Sequence, residues 1–189
     1  MIHDKNNNSN QISKYLLWLD MEMSGLNVET EVVLEVAIVI TDNQLNIIDQ
    51  LDSIVIKQPE HVLTAMDSWN QAVHAKSGLI GKVQNSTISI ATADTMVAEF
   101  LKPYFKPNQA ILCGNTVYQD RKFINKYLPQ LENFLHYRLL DVSTIKEIVK
   151  RWYSDLPKFE KHSKHEALAD IQESIEELKY YRTHIMKSI

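Results

Sequence analysis

The sequence predicts a single α/β domain built on a mixed β-sheet flanked by helices, and three observations predict it. Three β-favouring runs follow one another near the start, at 15–23, 32–40 and 45–57. After Pro59 helical periodicities take over and alternate with two short apolar runs, at 110–114 and 137–142. The chain has 189 residues, 44% hydrophobic and 23% charged, which is enough for one large core and short for two domains. Strands in succession imply antiparallel hairpins, whereas strands alternating with helices imply parallel pairs, so the sheet is expected to mix the two.

Residues 1–13, MIHDKNNNSNQIS, hold three consecutive Asn and little that can be buried; they are expected to form a disordered leader before a domain of residues 14–187. YLLWLDMEM is the first strand, VVLEVAIVI the second, and the alternating LNIIDQLDSIVIK the third. Ser24-Gly25 and Thr41-Asp42-Asn43 are turn formers at the first two strand ends. One helix is expected over 65–76 and another over 90–101, the latter with Met96, Val97, Phe100 and Leu101 at helical spacing. AILCG, at 110–114, has the unbroken apolar character of an interior parallel strand, and the helix expected after it, from Tyr118 to Leu128, closes at Pro129. YRLLDV is a further strand, after which Ser143 is placed as the cap of a helix carrying Ile145, Ile148, Val149 and Trp152. Residues 153–164 show no periodicity and read as a loop; Leu168, Ile171, Ile175 and Leu178 then mark a final amphipathic helix of about 166–184.

Composition excludes several classes. Four Gly and five Pro rule out a collagen-like or mucin-like chain. No apolar run approaches the roughly 18 residues that span a bilayer, and the start lacks a signal-peptide layout. A soluble, cytoplasmic protein with no membrane partner is expected. One cysteine, Cys113, offers neither an intramolecular disulfide nor a cysteine cage for zinc, in keeping with a reducing compartment. A net charge of −4 argues against gripping long nucleic acid by bulk electrostatics, and leaves room for a short or metal-bridged polyanion.

Asp20 and Glu22 lie two apart in a predicted strand, so both carboxylates point to one face, with Leu17, Leu19, Met21 and Met23 on the other. Asp120 follows the small-residue loop Gly114-Asn115-Thr116 at the start of a helix, where open α/β sheets place ligands. His165 stands just before the last helix and Asp170 in it. Each also has a plainer reading: an exposed strand acid, a helix N-terminus favouring Asp120 through its dipole, a surface histidine beside His162, a solvated helix acid. Brought together, four carboxylates repel by about 4 kcal/mol per pair at ~4 Å and an effective dielectric of ~20. Two divalent cations would balance them, and oxygen-only ligands favour Mg²⁺ or Mn²⁺. Such a pair can activate water on one side and stabilise a leaving oxygen on the other during attack at phosphorus.

Asp-x-Glu near the start, Asp in the middle and His-x-x-x-x-Asp near the end resemble the DEDDh family of 3′-to-5′ exonucleases, whose fold is ribonuclease H-like. The resemblance is closer still to the oligoribonucleases. It rests on WLDMEMSGL, MDSWN, CGNTVYQDRKF, HYRLLDVSTIKE and HEALADIQESIEELKYYR, which together run from Tyr15 to Arg182. It implies metal ligands at Asp20, Glu22, Asp120 and Asp170, with Asp20 bridging two ions, and His165 as general base. It further implies that Leu26 wedges between the two bases of a dinucleotide, that Trp69 is an aromatic platform, and that Thr116, Arg138 and Ser143 cap a terminal phosphate. Tyr137 is expected to reach in from the second subunit of a homodimer. Taken alone, Leu26, Trp69 and Tyr137 also fit a core, and Arg138 a surface ion pair. Thr116 stands where the family pattern has serine, and the stretch 155–164 departs from that pattern. The function implied is hydrolysis of very short RNAs, especially dinucleotides, from the 3′ end to 5′-mononucleotides. Two rivals stay open: a related exonuclease acting on single-stranded DNA or tRNA ends, and a non-catalytic nucleic-acid-binding domain.

Overall fold

The computed structural model describes residues 13–160 and 166–186. The expected leader therefore lies outside the described residues except for Ser13, whose carbonyl accepts a hydrogen bond from the Asn43 side chain at 3.0 Å. His162 and His165 also lie outside them.

Five strands, β1 (Tyr15–Met23), β2 (Val33–Asp42), β3 (Ile47–Val55), β4 (Ala110–Gly114) and β5 (Leu135–Asp141), form one sheet in the order β3-β2-β1-β4-β5. The first three pair antiparallel, while β4 joins β1 and β5 joins β4 in parallel, which is the mixed sheet the sequence predicts. Connectivity explains the division. A loop of residues 24–32 links β1 to β2 and a short turn links β2 to β3, neither containing a helix, whereas β4 and β5 each return through helices.

Alternation along β1 builds two cores. Leu17, Leu19 and Met21 face one side, where they join Val36, Ile38 and Ile40 of β2 and side chains from α4 (Ile90–Leu101), α5 (Tyr118–Tyr127) and α6 (Pro129–Phe134). Trp18 faces the other side with Ala37, Val39 and Cys113, beneath α7 (Val142–Trp152) and α8 (Ala167–Ile185). Covered on both faces, β2 is buried along nine of its ten residues, which is why its apolar run is nearly unbroken. The buried indole of Trp18 donates to Thr41 Oγ1 at 2.9 Å, satisfying its one polar atom.

Several boundaries differ from expectation, each for a local reason. The helix expected over 65–76 begins three residues later as α2 (Ser68–Lys76), because Asp67 caps it by accepting from Asn70 N, and a separate short helix, α1 (Glu60–Ala65), precedes it. A third short helix, α3 (Leu79–Asn85), follows and packs Leu79 and Val83 on Leu34, Leu63 and Met66. Pro129 does end α5, but it also occupies the first position of α6, where its missing N–H costs nothing. Two further N–H groups at that end, Gln130 and Leu131, donate to the buried Asp94 carboxylate of α4, each at 3.0 Å. The cap of α7 is Asp141 rather than Ser143: Asp141 Oδ1 accepts from Ser143 N at 2.9 Å, and the helix begins two residues earlier than a Ser143 cap would start it. Among the described residues no helix is long and apolar enough to cross a membrane.

Candidate active site

The side of β1 that carries Trp18 also carries Asp20 and Glu22, two and four residues further on. Helix α8 lies across that side, with Ile171, Ile175 and Leu178 packed against the core around Trp18, and its first turn brings Asp170 over the strand. One carboxylate oxygen from each of Asp20, Glu22 and Asp170 lies within 4.8 Å of the others. Asp120 enters from the opposite edge. It sits in the first turn of α5, buried, where the backbone N–H groups of Asp120 itself and of Met21 in β1 favour its charged form. Its charge bears on Asp20 more strongly than that of any other acid. The four acids expected from sequence thus meet at the C-terminal ends of β1 and β4, where parallel strands open toward the loops.

Close approach of the backbone makes this meeting possible. A Cβ on Gly114, at the end of β4, would stand 2.9 Å from Leu19 O, so only glycine lets β4 and its following loop run against β1 here. Thr116 then takes φ +58°, the left-handed region that β-branched residues rarely occupy. Its N–H donates to Asp141 Oδ1 at 2.9 Å, and Asn115 donates to Ser174 Oγ at 2.8 Å and to the buried Glu177 at 3.1 Å. The tight turn is therefore tied to β5 and α8 at once, and α5 starts from a fixed point.

Burial and mutual repulsion raise the acids. Asp20 is held well above the ordinary carboxylate range, first by burial and then by Asp120, Glu22, Asp170 and Glu35. Glu22 is pushed up to about 7 by burial and by Asp170 and Glu35. Burial lifts Asp120 to about 8 despite the two N–H groups that pull it down. A divalent cation would reverse this penalty, since it replaces the lost hydration and turns each repulsion into attraction. Oxygen-only donors at this spacing fit a hard cation, so the residues present suit divalent metal use.

Two more groups press on Glu22, and sequence reasoning passed over both. Glu35 faces it across the β1–β2 pair and is buried, a contact that pairing register would have revealed. His74, also buried, comes from the last turn of α2; its Nε2 bonds Met23 O at 3.0 Å and its Nδ1 stands 3.9 Å from Glu22 Oε2 with no hydrogen-bond partner among the described residues. No spacing signal points to it, because its partners lie some fifty positions away.

The expected substrate-side residues divide by exposure. Leu26, Trp69 and Tyr137 are 72%, 64% and 75% exposed, so none is a core residue. Arg138 is exposed as well, its guanidinium over the Tyr137 ring at 5.1 Å and in no ion pair among the described residues. Ser143 donates its hydroxyl proton to Asp141 Oδ1 at 2.6 Å, the same oxygen that accepts from Thr116 N. Asp141 is thus a shared anchor for both, and was not singled out from the sequence.

The sequence matches the exonuclease family RNase_T over residues 17–178. It is 52% identical over 176 residues to the oligoribonuclease of Nitrosomonas eutropha, covering 93% of this chain and 97% of that one. It is 51% identical over 173 residues to the oligoribonuclease of Bordetella pertussis, covering 91% and 96%. Among solved structures, Exonuclease I from Methylocaldum szegediense superposes with a TM-score of 0.70 at 15% identity, over 92% of this chain and 41% of that one. The zinc-bound complex of E. coli Exonuclease I with single-stranded DNA gives 0.64 at 18% identity, over 93% and 41%. The chain spans about two fifths of the length of these structural neighbours, and the likeness to them is one of fold, the ribonuclease H-like fold of exonucleases. By the length and level of the sequence matches, the chain belongs to the RNase_T exonuclease family and, within it, to the oligoribonucleases.

Proposed function

We propose that this chain is a 3′-to-5′ exoribonuclease that hydrolyses very short RNAs, dinucleotides above all, to 5′-mononucleotides. The observation that carries the reading is the convergence of Asp20, Glu22 and Asp170 beside the buried Asp120. These four would hold two divalent cations, Mg²⁺ or Mn²⁺, which when bound supply Lewis-acid activation of water and charge neutralisation at the leaving oxygen. Asp20, whose charge the other three repel, would be the ligand that both ions share. His165, five residues before Asp170, takes the proton of the attacking water as general base.

Binding falls to the exposed groups. Leu26 separates the two bases and Trp69 stacks on one, a contact worth roughly 1–3 kcal/mol and indifferent to base identity. Thr116, Arg138 and Ser143 cap the terminal phosphate, Ser143 turning its hydroxyl from Asp141 to do so, with Tyr137 of the partner subunit of a homodimer closing the far side. A closed end of this kind rewards a substrate two nucleotides long and obstructs a longer one. Local donors and cations also let a chain of net charge −4 bind RNA without a long basic track. The single cysteine is consistent with residence in the cytoplasm.

Turnover of end-labelled dinucleotide and of a longer RNA, each with Mg²⁺ or Mn²⁺, tests the proposal. Preferred cleavage of the dinucleotide is expected. Equal or faster turnover of the long RNA would remove the short-substrate part, preference for single-stranded DNA would favour a related exonuclease, and no turnover of any of them would overturn the whole.

A further inference from the structure

We infer that Gln119 is a positioning residue that fixes the Leu26 wedge relative to the acidic cluster, making wedge and acids one rigid unit. The inference rests on the reading of Leu26 as a substrate contact. Leu26 stands on the loop of residues 24–32 between β1 and β2, with its side chain largely in solvent. An exposed leucine on a free loop would lose much of its value as a wedge, since ordering it on binding costs entropy. This loop is held from one side by a single helix.

Both ends of α5 grip it. Gln119 Nε2 donates to Leu26 O at 2.5 Å. Lys126 Nζ donates to the carbonyls of Val28 and Glu29, and Tyr127 Oη donates to Glu31 O at 2.7 Å. The Gln119 grip is the one applied to Leu26 itself, and its direction is set by chemistry. Lys122 Nζ donates to Gln119 Oε1 at 2.9 Å; a lysine can only donate and a carbonyl can only accept, so the amide has one orientation that serves both partners. Gln119 is 9% exposed, so water is a poor substitute for either bond.

The next residue is Asp120, buried beside the acids, whose charge acts on Asp20 and whose own charge is favoured by the Met21 backbone N–H. One helical turn therefore places Asp120 at the end of β1 and holds the loop that follows β1 through Gln119. The distance from wedge to cluster is set by adjacent residues of one rigid element.

Gln119→Met keeps the length and removes both amide bonds. In the full-length protein with Mg²⁺ it should raise KM for a dinucleotide roughly three- to tenfold, the factor expected for one ordinary hydrogen bond, with a smaller change in kcat. KM for a one-base substrate, the p-nitrophenyl ester of uridine 5′-phosphate, should move much less, because it has no second base to separate. Amide exchange at Ser24, Thr30 and Glu31, whose N–H groups are bonded within the loop, should accelerate. Unchanged exchange, or equal rises in KM for both substrates, would overturn the inference. Leu26→Ala separates it from the reading beneath it. If Leu26→Ala raises dinucleotide KM and Gln119→Met does not, the positioning role is wrong and the wedge stands; if Leu26→Ala has no effect, the wedge is wrong and the inference falls with it.

Discussion

Replacing Glu22 by glutamine should make the metal-free protein more stable, and only at the pH where the carboxyl ionises. Glu22 is pushed from 4.5 to about 7 by burial and by Asp170 and Glu35. A carboxyl raised in the fold keeps its proton longer folded than unfolded, so ionisation between those two values weakens the native state as pH rises. The penalty is nearly absent below the unfolded value and complete above the folded one; a shift from 4.5 to about 7 corresponds to about 3 kcal/mol. Glutamine has the same shape and no charge, and it also relieves Asp20, which Glu22 repels. Urea unfolding in chelator should show Glu22→Gln more stable by about 3 kcal/mol at pH 8 and by under about 1 kcal/mol at pH 5. Saturating Mg²⁺ should shrink or invert the gap, because a cation bound by the native state stabilises the wild type more. A variant no more stable than wild type at pH 8, or offset equally at both pH values, would refute the reasoning.

Asp20→Asn should lower dinucleotide hydrolysis by at least about two orders of magnitude with the circular dichroism spectrum preserved, since it removes the charge that both cations would share. Asp94→Ala strips the two N–H groups at the start of α6 of their acceptor, and should cost about 1–3 kcal/mol in urea unfolding with little change in KM. Gly114→Ala drives a methyl into Leu19 O at 2.9 Å, backbone that cannot step aside, so stability should fall by about 1–3 kcal/mol and kcat with it as Asp120 shifts.

What the sequence reveals depends on whether a residue's partner is near it in the chain or implied by periodicity. The two faces of β1 are legible because alternation is local: Leu17 and Leu19 go to one core, while Trp18, Asp20 and Glu22 share the other side. The doubly covered β2 is legible from its apolar run. Helix boundaries are harder, because Asp67 starts α2 only two residues after α1 ends, and Pro129 both follows α5 and opens α6, so composition gives the stop more clearly than the restart. Ser143 and Asp141 are both good caps two residues apart, and the choice falls to the one whose oxygen also receives Thr116 N from another loop. At the site, nothing local links Asp120 or Asp170 to Asp20; family resemblance supplied that link, and the parallel pairing of β4 with β1 and the crossing of α8 account for it physically. His74 and Gln119 stayed hidden because each bonds a backbone carbonyl remote in sequence, Met23 O and Leu26 O, and a carbonyl leaves no mark in an amino-acid pattern.

Anomalous diffraction from crystals soaked in Mn²⁺ tests the central claim most directly. Manganese is expected within coordinating distance of carboxylate oxygens of Asp20, Glu22, Asp120 and Asp170, with Asp20 shared between two ions. Saturating manganese that leaves these four side chains uncoordinated, or binds only elsewhere on the surface, would contradict it.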